Sequence, residues 1–481
     1  MRRTSLGVVV VLWTGISVWT PPEARAQTQS PLPEITFLGG GSKAAAMGGA
    51  FVGLADDASA GYWNPAGLTQ NDRVTMGLQF RYQRQRLQNK LDSPEPLSLL
   101  YNSFSRENIF NFNFAAFNSP VTVKGQRFYL SASWFRAQDA SFQASYVLDD
   151  LSDFVDPTGF VVLDQIEQFG LTEGGVKVVS LAAATQLKED KISAGFGVNI
   201  YVGSAYDSAR TAVDLSNFDV QAGDFVDRRS VTDNTNRRKF VGLNFGFGAL
   251  YEIDRYSFGL AVKTPFEVKS ENDRRDATRV YERTPDTLLL ESESSNLFIT
   301  DTKVEIPLEV ALGMVFRPQG NLTFAIDYEY KAFGNSKTFT QEDVLDPRSD
   351  FVPFDPEWKD IHQVRLGMEY QISTGWGTLP LRAGFRTEPL PYRHLVNVQD
   401  AIGDVTGSNE SYERGDQIFG EVYSLGTGLQ WSQVRLDLTY EYHTATRYRD
   451  GYFVDNLLKP NFIALQNNRS QRLSLGFTGF F

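Results

Sequence analysis

Cysteine is absent from the 481 residues. No disulfide can brace the chain and no thiol can serve as a nucleophile, so a secreted protein of this kind must draw its stability from elsewhere, such as a closed hydrogen-bonded sheet. Histidine is almost absent: His362, His394 and His443 stand alone, with no HExxH and no metal-ligand spacing. No GxSxG occurs, and no serine or aspartate set with a histidine can be assembled. The expectation is a protein that is not an enzyme and needs no cofactor or metal. A basic surface is missing too. Lys and Arg total 46 against 58 Asp and Glu, a net charge of −12, which argues against a nucleic-acid partner. No stretch beyond the N-terminus approaches the ~20 apolar residues of a membrane helix. A mean hydropathy of −0.28 reads as soluble, but a membrane barrel reads the same way because only alternate residues face lipid.

The one apolar run is at the start. Arg2 and Arg3, an apolar core from Leu6 to Trp19, and Ala24-Arg25-Ala26 predict a signal peptide over residues 1–26. No Cys follows the core, so a lipoprotein is excluded. Without that peptide 43 basic and 57 acidic residues remain, and the mature chain is more acidic still.

What is abundant is aromatic: 36 Phe and 20 Tyr beside 5 Met. From Asp72 onward these residues fall into period-two alternation. Ile192, Ala194, Phe196, Val198, Ile200 and Val202 share one face, and Ser193, Gly195, Gly197, Asn199, Tyr201 and Gly203 the other. The pattern recurs at 72–86, 108–118, 126–137, 176–187, 190–204, 238–252, 254–264, 306–317, 320–332, 361–372, 378–388, 418–430, 433–444 and 470–481. About fourteen strands result, an even number as in bacterial single-chain barrels. Tight turns at Lys188-Glu189-Asp190, Ile253-Asp254, Pro318-Gln319 and Ser432 alternate with long connections near 87–107, 138–175, 205–237, 265–305, 331–360, 389–417 and 445–469. Short turns on one side and long loops on the other mark an outer-membrane barrel. Its outer face is Leu, Val, Ile, Phe and Tyr, with Tyr328, Tyr330, Tyr370, Tyr440 and Tyr442 near strand ends as an interfacial girdle. Its inner face is glycine-rich near 190–252 and charged later, where Asp327, Glu329, Arg365, Glu369, Arg382, Arg386, Arg435, Asp437 and Glu441 are expected to share one lumen and pair across the wall.

One stretch does not alternate. Gly39–Leu68 is rich in Gly and Ala yet carries Met47, Phe51, Val52, Leu54, Tyr62 and Trp63. Small residues let backbone approach backbone, so this segment is expected to pack inside the barrel. Asp56 and Asp57 read mainly as turn and cap residues. Pro65 fixes its own φ and disfavours helix at Asn64, whose side chain is free to bond backbone. The connection 138–175 is unusually apolar, with Leu151, Phe154, Phe160 and Phe169 among its residues. It must pack on the barrel mouth or offer a greasy surface.

The run SKAAAMGGAFVGLADDASAGYWNPAGL at Ser42–Leu68 resembles the N-terminal signature of the FadL/TodX family of outer-membrane transporters for hydrophobic compounds, with Asn64-Pro65-Ala66 its most specific part. Further likeness runs along Gly242–Ala249, Ser257–Pro265, Pro307–Tyr328, Arg365–Tyr370, Arg382–Phe385 and Leu425–Tyr442. The resemblance implies an all-β fold: a transmembrane antiparallel β-barrel of fourteen strands over 72–481, plugged by an N-terminal hatch over 27–71 whose motif here is Gly48, Gly49, Asp56, Asp57, Asn64, Pro65 and Gly67. It implies an integral protein of a Gram-negative outer membrane, with both termini on the periplasmic side. It implies passive uptake of long-chain fatty acids or aromatic hydrocarbons through capture by external loops, a pocket near the hatch and lateral release to the membrane. Phe37, Leu38 and Phe51 of the hatch and Leu151, Phe154, Phe160 and Phe169 of the apolar connection are the candidates for touching the ligand. The partners implied are that ligand, outer-membrane lipids, and the barrel-assembly machinery through the terminal Phe481. The same signature also resembles the PorV group of type IX secretion carriers, which is the alternative reading; a purely architectural barrel is a third.

Overall fold

The computed structural model describes residues 39–91, 103–139, 142–148, 161–188, 191–219, 224–283, 288–341, 349–399, 411–450 and 463–481. The signal peptide and the start of the hatch lie outside these residues, as do Phe37, Leu38, Leu151, Phe154 and Phe160.

Among the described residues nineteen strands form one antiparallel sheet that closes on itself: β1 (Thr75–Leu91) pairs with β2 (Ser103–Val123) along one edge and with β19 (Ile463–Phe480) along the other. Five staves of the barrel are each built from two strands in line. They are β3 (Gln126–Asp139) with β4 (Phe142–Leu148), β8 (Tyr256–Lys263) with β9 (Phe266–Arg283), β10 (Leu288–Ile306) with β11 (Glu309–Gln319), β12 (Leu322–Lys331) with β13 (Thr338–Gln341), and β14 (Phe351–Phe354) with β15 (Ile361–Thr374). The single-strand staves are β1, β2, β5 (Val161–Lys188), β6 (Ile192–Asp219), β7 (Asp224–Ile253), β16 (Gly377–Gln399), β17 (Ser411–Trp431), β18 (Val434–Asp450) and β19. The result is a closed fourteen-stave antiparallel barrel, as the alternation predicts.

Its outer face is a band of apolar side chains. On β7, Val241, Leu243, Phe245, Phe247, Tyr251 and Ile253 all point outward and are exposed, and Phe196 stacks beside Phe245 from β6. Beyond Val241 the outward residue is Lys239, which ion-pairs with Glu271 at 3.7 Å, so the band ends there. Thirteen residues of a strand tilted by about 40° span roughly the 25–30 Å of a bilayer's hydrocarbon.

The strands run much further than hydrophobic alternation suggests. Most of the connections expected at 205–237 and 265–305, and Val161–Gly175 of the connection at 138–175, are strand. The reason is physical. Beyond the apolar band both faces are polar, so β6, β7, β9 and β10 pair there through Thr, Asp, Asn and Arg with no apolar period. The turn expected at Pro318-Gln319 falls instead at Gly320 and Asn321, because an irregularity in the β11–β12 ladder between Phe316 and Gln319 takes Pro318 into the strand. Tight turns at Asp254 (φ 50°) and Ser432 (φ 43°) stand where expected. We call the side with these turns the turn end and the side with the long connections the hairpin end.

Residues 39–71 lie inside this cylinder. Helix α1 (Ser42–Ala46), a reversal at Gly48 and Gly49 (φ 67° and 80°), helix α2 (Ala60–Trp63) and a 3-10 helix (Pro65–Gln70) fold on a core of Ala44, Met47, Ala50, Phe51, Leu54 and Ala60.

Candidate functional site

The segment is held by backbone approach. The wall sets glycine opposite glycine where it passes: Gly195 pairs with Gly248, Gly259 with Gly313 and Gly367 with Gly384. A Cβ on Gly367 would sit 2.7 Å from the Met47 carbonyl oxygen, and one on Gly384 would collide with the backbone N of Gly48. In return Gly48 has no room for a side chain beside the Phe385 N at 2.6 Å. The glycine-rich inner face is therefore the seat of this segment.

Directional bonds fix the register. Asp327 of β12, 1% exposed, accepts the N–H groups of Phe51 and Val52 at 2.6 and 2.7 Å on one carboxylate oxygen. Asn64 is extended (φ −151°), as Pro65 requires. Its amide donates to the carbonyls of Val52 at 2.8 Å and Ala249 at 3.1 Å, and its oxygen caps Ala66 N at 3.1 Å. Ser424 and Thr439 donate to the carbonyls of Ala46 and Ser42. Asp57 bonds the N–H and hydroxyl of Ser59, the cap chemistry expected. Asp56 instead pairs with Lys43 at 2.7 Å. Gly67 packs where a Cβ would meet the backbone of Ala55.

All nine charged residues assigned to the lumen are buried there, and six of them, Glu329, Arg365, Glu369, Arg382, Arg435 and Asp437, take part in two ionic layers. On the turn side of the segment Lys43 reaches Glu369, Arg382 joins Glu369 and Asp437 at 2.6 Å each, and Arg435 joins Asp437 at 2.8 Å and Asp57 at 3.6 Å. Of these, Lys43, Glu369, Arg382 and Arg435 line a polar cavity of about 230 Å³. On the hairpin side Lys263, Glu309, Lys331, Glu329 and Arg365 run in a chain of ion pairs, with the Lys263 ammonium 3.9 Å over the Tyr62 ring and Arg365 over Trp63. The segment is thus clamped between two ionic layers.

Above it the lumen is two-sided. One wall is apolar: Phe135, Val176, Val178, Tyr201, Phe240 and Val268 are buried together with Phe333 and Trp358, and Tyr62 of the segment packs on Phe135 at 4.5 Å. Sequence reading missed this patch. Val176 and Val178 lie in a stretch where Val179 and Leu181 on the opposite face are apolar too, so alternation gives no contrast. The facing wall is charged, with Arg81, Arg386, Glu441, His443 and Arg472.

The sheet is incomplete at one place beside the apolar wall. The β2–β3 ladder stops at Phe114 and Phe135, whereas β1–β2 continues to Ser103 and β3–β5 to Asp139. Across this seam the Asn111 amide donates to Asp139, and Phe112 stacks on Trp134. Phe110 beside it is 69% exposed.

Of the ligand-contact candidates within the described residues, Phe51 is fully buried in the segment's own core, edge-on to Trp63, and Phe169 is exposed on β5. The structure does not bring them together. Phe481 ends the chain with its ring exposed and its N–H on the Val74 carbonyl.

Residues 163–388 match the family model described as BamG. No curated protein matches the sequence. The crystal structure of a Pseudomonas aeruginosa FadL homologue aligns with 92% of this chain and 99% of its own, at 14% identity and a TM-score of 0.57. That of the P. putida toluene transporter TodX aligns with 92% and 99%, at 13% identity and a TM-score of 0.53. At such identities the likeness is one of architecture, and the chain has the fold of the FadL and TodX barrels.

Proposed function

We propose that this chain is an outer-membrane channel for passive uptake of small hydrophobic molecules. Ligand enters at the hairpin end, descends the apolar wall to the hatch, and leaves sideways through the seam between β2 and β3. The observation that carries this reading is the two-sided lumen above a locked hatch. A hydrophobic molecule finds a continuous apolar surface from Phe240 to Phe135, but below it two layers of buried ion pairs cross the lumen. Desolvating charge or moving an apolar solute through such layers is costly. The seam, flanked by outward Phe110 and Phe112, offers a cheaper route. The orientation that follows puts the turn end and both termini in the periplasm.

The fold's solved relatives include a toluene transporter and a FadL homologue, whose names speak for transport rather than for a secretion carrier. The test is uptake of labelled toluene and labelled oleate by cells with and without the gene. Loss of either activity, restored by the intact chain but not by Tyr201→Asp, is expected. Unchanged uptake of both would overturn this reading.

A further inference from the structure

Strand β10 is covered along its length on one side only. There it pairs with β9 from Ile306 to Leu288. On the other side it pairs with β13 through Val304, Lys303 and Thr302, where the ladder ends. The Gln341 side chain then takes the Asp301 N–H at 2.9 Å. From 300 to 288 no strand lies on this edge among the described residues. Backbone bonds alternate in direction along a strand. The bond at Asp301 therefore means that the N–H and C=O groups of Ile299, Leu297, Ser295 and Glu293 point to the open side. Asp301 stands in line with Glu271 and Lys239, where the apolar band ends, so 288–300 lie beyond the band.

Open edges are commonly blunted by lysine or proline. Residues 288–302 contain no Lys, Arg or Pro, and Leu289, Leu290, Leu297 and Ile299 are about half exposed. Glu293 is already paired with Arg279 of β9 at 2.9 Å. Apolar residues stand at both ends of this edge, with Ser292 to Asn296 between them. That order is self-complementary when the strand meets a reversed copy of itself. With Ser294 opposite the second Ser294, Glu293 falls opposite Ser295 and Ser292 opposite Asn296. The ladder with β9 carries one extra residue, Glu291, between Leu290 and Ser292. Passing it brings Leu290 opposite Leu297 and Leu289 opposite Phe298. The faces agree. On β9, Leu290 and Leu297 stand beside Tyr281 and Arg275, and Leu289 and Phe298 beside Glu282 and Arg274, and residues an even number apart on one strand share a face.

We propose that the open edge of β10 binds the same edge of a second copy, antiparallel about a two-fold axis at Ser294. The contact is isologous: each apolar end meets the other, and the open backbone groups gain partners. An axis that relates two antiparallel strands of one sheet is perpendicular to that sheet. Here the sheet is the wall of a barrel that stands across the membrane, so the axis lies in the membrane plane and the second copy points the other way. Two copies in one membrane do not meet in this manner, whereas copies in two facing membranes do. The edge is thus an adhesive surface. The inference goes beyond the uptake reading and takes from it only the orientation that puts the hairpin end outside the cell.

The test uses the purified full chain, in non-ionic detergent and in phospholipid vesicles. The chain has no cysteine, so Ser294→Cys adds a single thiol. On the axis it faces its own copy in a pair without mutual backbone bonds, where Cα atoms lie about 4.5 Å apart, within disulfide range. Ser294→Cys should give a disulfide-linked dimer under mild oxidation. Ser292→Cys should give none by itself and should link when mixed with Asn296→Cys. Leu290→Lys with Leu297→Lys should weaken dimerisation about tenfold or more by sedimentation, since a cross-strand pair contributes up to about 1 kcal/mol and the axis repeats it. Heat-modifiable migration on gels checks that each variant is folded. Vesicles carrying the unaltered chain should cluster, and those carrying the Lys pair should stay apart. A chain that sediments as a monomer and does not link through Ser294→Cys overturns the inference. So does Ser292→Cys linking to itself as readily as Ser294→Cys. Linked dimers that never bridge two vesicles overturn the facing-membrane contact. Each of these failures leaves the uptake reading standing, because none of them measures transport.

Discussion

The carboxylate of Asp327 takes the Phe51 N–H at 2.6 Å across 276 residues of chain, binding the segment inside the barrel to the wall. The same oxygen holds Val52. Each bond to a charged acceptor contributes about 1.5–3 kcal/mol. Asp327→Ala should therefore loosen the hatch locally without dissolving the sheet. Amide hydrogen exchange at Phe51 and Val52 should rise about tenfold or more, since 1.4 kcal/mol is a factor of ten. Unchanged protection would show that the bonds do not restrain the segment.

Close approach makes a second prediction. Gly384→Leu has no space, because the hatch backbone at Met47 and Gly48 fills the site, whereas Gly320 in a turn has nothing near its Cβ position. The Leu variant should fold as a barrel with a displaced hatch, seen as new protease cleavage between 39 and 71. Gly320→Ala should behave as the parent. Equal protease resistance in both would mean that the glycine pairs are not the seat of the hatch.

This seat shows how far the sequence could be read. The alternation of β6 and β7 places Asn199 and Asn244 inside, where they bond at 2.9 Å, and Phe196 and Phe245 outside. Asn64-Pro65 gives its own local geometry, because proline restricts its neighbour wherever the chain goes. Which inner residues meet the hatch and which line open lumen is a matter of register across nonlocal strands, and no local period encodes it. The open edge of β10 illustrates the limit: in sequence it is one more polar strand, and the edge exists only once β13 stops short beside it. The strand extensions of β9 and β10 were hidden for a related reason, since polar surroundings on both faces erase the pattern.

The position of the membrane is testable on one strand. Phe245→Arg, within the outer band, should cost about 2–4 kcal/mol in folding into lipid, and Val241→Arg, at its edge beside Lys239, about 0–1 kcal/mol. Reversible unfolding in lipid vesicles measures both. Similar costs would shift the band toward the hairpin end.

The seam is testable by closing it. The chain has no cysteine, so Asn111→Cys with Asp139→Cys gives a single pair where the two side chains already touch. Bridging them should stop uptake of the hydrophobic substrate, and reductant should restore it. Uptake that persists through the bridge would place the exit elsewhere in the wall.

The central claim is that residues 39–71 close the lumen, so that hydrophobic molecules must leave through the wall. The most direct measurement is single-channel conductance in planar bilayers of the intact mature chain and of a form lacking residues 27–68. A fourteen-stave barrel is wide enough to carry water when nothing fills it. The account predicts that the intact chain barely conducts ions and that the shortened one forms a stable, non-selective pore. A shortened barrel that folds yet conducts no more than the intact protein would contradict it.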